Sequence, residues 1–242
     1  MRTIHLVLIG LLLSLAAAAQ DDRSRAAADF RKVNEAFTAK AFGMDITYTL
    51  FGSYTSTKAA ELQHGVFRKL GSSYYSELLG ITTLRNDKVV VSVDKNEETI
   101  VVNNTPKQPS NKTVLNQLHL DSTLKICSSV TMSDLGRQRV YKLRFDRSSY
   151  FPYNAIDVHV NSKTFFIDKL TFYFREELDL DESDEQEAKD KPRLEIAYTN
   201  LDTDPGFSES QFSEKIFISV SGKKVTLSNA YRTYRLINQL TR

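Results

Sequence analysis

The chain is predicted to be mainly β, of the α+β class, as a strongly curved antiparallel sheet of about ten or eleven strands with helical segments over one side. Three observations predict this. Apolar and polar residues alternate with period two from Gly43 onward. Turn signals recur at short intervals, as in HGVFRKLGSSYYSELLGITTLRNDKVVVSVD, punctuated at Gly71-Ser72-Ser73, Gly80 and Asn86-Asp87. Helical spacing is sustained only in SRAAADFRKVNEAFTAKAF, residues 24–42.

In that first element Phe30, Val33, Phe37 and Ala41 share one face, with Arg31, Lys32, Glu35 and Lys40 on the others. An amphipathic helix is expected, ended by Gly43. Ile46, Tyr48 and Leu50 then share one face of a strand. Val66–Leu70, Tyr74–Leu79, Ile81–Leu84, Val89–Val93 and Thr99–Val102 follow on short connections, which favours antiparallel hairpins. A polar break with two prolines, NNTPKQPSNK, precedes TVLNQLHLDSTLKI, which reads as a short central helix or two. Strands resume at Ser129–Met132. In RVYKLRF, Tyr141, Leu143 and Phe145 face one way; Ile156, Val158 and Val160 point inward opposite Asp157 and His159. Phe166, Leu170, Phe172 and Phe174 align, as do Leu194, Ile196 and Tyr198. The tail reads as further strand with a Ser-Gly-Lys turn, its last turns open to helix.

Residues 1–19 are read apart from the fold. Arg2 and the amino terminus are positive, Leu6 to Leu15 is apolar, and Ala17-Ala18-Ala19 is small. A bilayer-spanning helix needs about 20 apolar residues, so this is a secretory signal peptide, cleaved after Ala19. Residues 20–242 then form a single domain, exported and soluble in the periplasm. Net charge is +2 over the full chain, which gives no electrostatic case for nucleic acid. Cys127 is the one cysteine, so no intramolecular disulfide forms, and its apolar neighbours read it as a buried thiol.

Catalytic patterns are missing. There is no HExxH, no G-x-S-x-G elbow, no P-loop and no G-x-G-x-x-G. His64, His119 and His159 show no metal-ligand spacing, and the acidic run Asp179 to Asp190 has Asp184 where a calcium loop needs glycine. That run reads as a solvated hairpin tip. The chain is therefore expected to be no enzyme, with no cofactor and no metal. Its 14 Phe and 11 Tyr lie largely on strand faces, where a buried tyrosine hydroxyl needs a partner or water.

AAADFRKVNEAFTAKAF, MDITYTLFGSYTSTKAAELQHGVFRKLGSSYY and PRLEIAYTNLDTDPGFSESQFSEKI together resemble, in organisation, the periplasmic lipoprotein-carrier (LolA/LolB-like) family. The resemblance implies an unclosed β-barrel with helices as a lid over a hydrophobic cavity that shields acyl chains. Where the family continues its glycine strand into an Arg-Pro pair, this chain has Leu70-Gly71-Ser72, with Arg68 and Lys69 out of register. The tail beyond Ser221 is also longer than the family's.

The expected function is a periplasmic carrier for a lipid or lipidated protein, of the outer-membrane lipoprotein-trafficking type. An acyl chain in water is disfavoured by about 0.8 kcal/mol per CH₂, so carriage needs a dry surface rather than chemistry. Ile46, Tyr48, Leu50, Tyr141, Leu143, Phe145, Phe172 and Phe174 are expected to line the cavity, with Phe30, Val33 and Phe37 as the lid. Acyl chains are the expected partners of a monomer, with room for membrane-bound donor and acceptor proteins. An envelope protein–protein interaction module without lipid cargo is the alternative, and a hydrolase with an unrecognised site a third reading.

Overall fold

The computed structural model describes residues 21–106, 119–148, 150–176, 191–221 and 224–240. The expected leader with its cleavage point lies outside these residues, as does the whole acidic run Asp179 to Asp190.

The chain is mainly β, as its alternation predicts. Helix α1 spans residues 21–36 and is followed by strands β1 (Ala41–Phe51), β2 (Ala59–Leu70), β3 (Ser73–Leu78), β4 (Ile81–Arg85), β5 (Val89–Asp94) and β6 (Thr99–Asn104). Helix α2 (Leu120–Ile126) leads to β7 (Ser129–Asp134), β8 (Gln138–Arg144), β9 (Tyr153–Asn161), β10 (Ile167–Phe174) and β11 (Arg193–Asp202). The tail adds β12 (Ile218–Ser221), β13 (Lys224–Leu227) and β14 (Arg235–Asn238), with 3-10 turns between them. Twelve strands form one hydrogen-bonded ladder in the order β14-β6-β5-β4-β3-β2-β1-β11-β10-β9-β8-β7, while β12 and β13 pair separately. The ladder has two ends, so the sheet is unclosed, with slightly more strands than expected.

Two expectations are corrected, and one is met as far as it is described. The first helix stops at residue 36, and Ala41, Phe42 and Gly43 belong to β1. Phe42, Met44 and Ile46 alternate as buried residues, so the strand's period two governs these positions and not the helical spacing read through Ala41. Gly43 is consequently no helix cap; a Cβ there would stand 3.0 Å from the Phe207 ring. Of the central helical segment, Leu120–Ile126 is helical and 107–118 falls outside the described residues. Finally, β14 pairs with β6 in parallel, Arg235 opposite Thr99 through Asn238 opposite Val102, so the ladder is not wholly antiparallel.

Contacts divide the chain into two compact units. Of the described residues, unit 1 holds those within 21–37, 48–62 and 116–197, and unit 2 those within 38–47, 63–115 and 198–242.

Unit 1 packs α1 on the sheet. Phe30 and Tyr141 meet edge to face at 5.2 Å, and Phe37 meets Phe166 at 5.0 Å. Cross-strand register confirms the expected facing. Tyr141 and Leu143 of β8 stand opposite Val158 and Ile156 of β9, which stand opposite Leu170 and Phe172 of β10.

Unit 2 buries Leu84, Val91, Val93, Ile100 and Val102 against Phe217 and Ile218 of the tail, with Tyr231, Tyr234 and Leu236 at the margin. The longer tail is therefore a core component. The β3–β4 hairpin turns on Leu79 and Gly80, both with positive φ, 51° and 77°, the pattern a two-residue right-twisted hairpin requires.

Candidate functional site

The candidate site is the helix-covered sheet face of unit 1, which has a sealed part and a half-open part. In the sealed part Phe30 is 0%, Val33 1%, Tyr141 0% and Leu143 0% exposed, so α1 lies directly on the strands. One buried carboxylate ties helix to sheet. Asp29 Oδ2 accepts from Tyr141 Oη at 2.6 Å and from Arg139 Nη1 at 2.7 Å. Burial and this carboxylate hold the Tyr141 phenol well above its ordinary pKa, and the same contact raises Arg139 further. The Tyr141 hydroxyl thus has the partner that a buried tyrosine needs.

The start of α1 is held as well. Arg23 donates to the Leu124 and Cys127 carbonyls at 2.7 and 2.8 Å, capping the end of α2. Asp22 Oδ2 accepts from the Met132 amide on β7 at 3.0 Å, satisfying a backbone donor of an edge strand. Cys127 is buried, as expected, and burial raises its thiol pKa.

The half-open part lies where β8 ends and β9 begins. Phe145 meets Phe151 at 4.6 Å, Phe151 meets Tyr153 at 5.3 Å, and Tyr153 meets Phe172 and Phe174 at 4.9 and 5.1 Å. Phe145 and Phe172 are buried, whereas Phe151, Tyr153 and Phe174 are half-buried. Three residues expected to line the cavity are thus gathered around Tyr153. Phe151 and Tyr153 were missed by the strand pattern because Pro152 interrupts it; their aromatic density in FPY was the available signal.

The remaining expected positions are dispersed. Tyr48 and Leu50 are half-buried in unit 1, and burial raises the Tyr48 pKa. Ile46 belongs to unit 2, where it is fully buried and borders an open groove of about 450 Å³ with Asp45, Thr47, His64, Val66, Glu77 and Thr199. The polar groups of that groove are mutually engaged, His64 with Thr47 and Asp45 with Asn200. Lys69, near the position of the missing arginine, is buried and donates to the Ala39 carbonyl, and burial lowers its pKa; Arg68 is exposed. His159 is half-buried beside Gln138 at 2.9 Å, not solvent-facing as its alternation suggested.

No family model matches the chain, and no curated protein matches it. An uncharacterized conserved protein from Thermus thermophilus is similar in structure at 11% identity, over 89% of this chain and 99% of that one, with a TM-score of 0.40. A LolA superfamily protein from Nitrosomonas europaea is similar at 14% identity, over 79% and 98%, with a TM-score of 0.31. MucB, solved in complex with MucA from Pseudomonas aeruginosa, is similar at 11% identity, over 84% and 63%, with a TM-score of 0.40.

Proposed function

We propose that the chain is a non-enzymatic carrier or binding protein of the periplasm, exported by a signal peptide, that takes the acyl chain of a lipid or lipidated protein. The observation that carries this reading is an aromatic and aliphatic sheet face in unit 1 covered by a single amphipathic helix. With α1 seated, Phe30, Val33, Tyr141 and Leu143 already fill the space beneath it, so cargo enters only when the helix lifts. The half-open ring cluster around Tyr153 is the point of first contact. Among the described residues no helix is long and apolar enough to cross a membrane.

Native mass spectrometry of gently purified protein tests the reading directly. Co-purifying lipid, displaced by a fluorescent fatty acid, is the expected result. Protein that is always empty and never binds the probe would remove it.

The filled space beneath α1 also favours a second reading, an envelope protein–protein interaction module without lipid cargo. Strand β7 is an end of the ladder and offers backbone groups to an added strand. Capture of a partner from envelope extracts by lipid-free protein would select this reading.

A further inference from the structure

Strand β8 presents to α1 a row of side chains that is polar at one end and apolar at the other. Arg139, Tyr141 and Leu143 alternate along the strand, with Phe145 just beyond it, so all four project to one face. Their cross-strand partners on β9 are aliphatic, Val160 opposite Arg139, Val158 opposite Tyr141 and Ile156 opposite Leu143. Tyr141, Leu143 and Phe145 are buried. At about 3.3 Å per residue, the apolar part of the row runs roughly 13 Å from Tyr141 to Phe145.

The polar end of the row converges on one anion. Tyr141 Oη at 2.6 Å and Arg139 Nη1 at 2.7 Å both donate to the same oxygen, Oδ2 of Asp29. The donors belong to the sheet, whereas the acceptor belongs to the helix that covers it. When α1 lifts, the carboxylate leaves with it, and a phenol and a guanidinium stay behind at the edge of an apolar surface. Such donors are costly to leave without an acceptor. Arg139 keeps its place in that state, because its Nε lies 3.6 Å from Asp134 Oδ2 on β7.

An ester- or amide-linked acyl group has only a neutral carbonyl to offer these donors. A free fatty acid offers what Asp29 offers, a carboxylate, followed by a chain that fits the apolar row. We propose that the cargo is a free fatty acid, whose carboxylate displaces Asp29 from Tyr141 and Arg139 while its chain lies along Leu143 and Phe145 toward the ring cluster at Tyr153. This inference rests on acyl-chain carriage and narrows it. Asp29 is then an internal competitor that keeps the empty protein closed. Its tether gives it a high effective concentration, and the cargo overcomes it through the added burial of its own chain.

Equilibrium dialysis of the purified protein against tritiated dodecanoate, its methyl ester and dodecanol tests this at neutral pH, where the acid is ionised. Dodecanoate should bind about tenfold or more tighter than the ester, the difference that charge-assisted hydrogen bonds supply. Arg139→Gln should bring that ratio close to one, and Arg139→Lys, which keeps the charge, should restore part of it. Asp29→Asn removes the competing charge and should raise it. A wild-type ratio near one overturns the assignment and leaves carriage of neutral acyl groups standing. A ratio that Arg139→Gln leaves unchanged overturns it too. If none of the three ligands binds, carriage itself falls, and the fatty-acid assignment falls with it. The wild-type ratio needs no substitution, so loss of fold in a variant does not remove the test.

Discussion

Asp29 and Tyr141 meet at 2.6 Å across the boundary between α1 and the sheet, and both are buried. With Arg139 on the same carboxylate oxygen, this is the polar fastening of an otherwise apolar contact. Tyr141→Phe should cost about 1–3 kcal/mol, the loss of one buried hydrogen bond to a charged group. Asp29→Ala should cost more, about 2–4 kcal/mol, because Tyr141 loses its acceptor and Arg139 is left with Asp134 at 3.6 Å. Urea unfolding measures both, and hydrogen exchange over 21–36 should rise more than over β9. Equal costs would mean that Asp29 does not fasten the helix.

Alkaline pH should unfold the chain early. Burial with the neighbouring Glu77 pushes the Tyr75 phenol up to about 12, and Tyr141 is raised too. An unfolded tyrosine titrates near 10, so between about 10 and 12 the folded state holds protons that the unfolded state has released. Stability contributed by these groups is therefore complete below about pH 10 and lost as pH climbs toward 12. Tyr75→Phe should lessen the fall in stability between about pH 10 and 12, read by urea unfolding across that range. A fall of unchanged size in that variant would contradict the role given to the buried hydroxyl.

Cys127 offers a reporter of helix movement. It is buried, its Sγ lies 3.3 Å from the Leu124 carbonyl, and burial raises its pKa, so thiol reagents should label it slowly at neutral pH. Arg23→Ala releases the α1 contact to the Leu124 and Cys127 carbonyls and should speed labelling. A fatty acid that lifts α1 should speed it as well. Unchanged labelling in saturating fatty acid would count against entry beneath the helix.

In unit 2, Phe217→Ala should cost about 3–5 kcal/mol, since this ring is 2% exposed and sits against Val91, Ile100 and Leu84. Gly65→Ala tests a close approach in the same unit. An added Cβ would run into the Glu77 carbonyl oxygen and the Leu78 side chain, a clash that should cost about 1–3 kcal/mol. Thermal unfolding of each variant decides both, and a neutral Gly65→Ala would show that the β2–β3 pair yields.

The strands from Val66 to Val102 were legible because each is a short period-two run closed by its own turn, so nearest-neighbour chemistry suffices there. The facing of Tyr141, Leu143, Ile156, Val158, Leu170 and Phe172 was legible for the same reason. Ala41 and Phe42 misled because apolar residues at a helix–strand junction satisfy both periods. The Asp29 fastening left a trace that was not used, an acidic residue at i−4 from Val33 on the apolar stripe of α1. The partner of β14 left none. Four residues carry no period that names a strand more than a hundred positions upstream, and parallel pairing has no local turn signal.

That parallel pairing sets an order of events in biogenesis. The edge of β6 emerges from the ribosome long before Arg235 to Asn238 exist to cover it. Until they arrive, Thr99 to Asn104 present a naked row of amides and carbonyls, able to recruit any extended neighbour. Translation must pass Asn238 before this unit can mature, and a nascent chain stalled shortly before residue 235 should be the species most prone to clump.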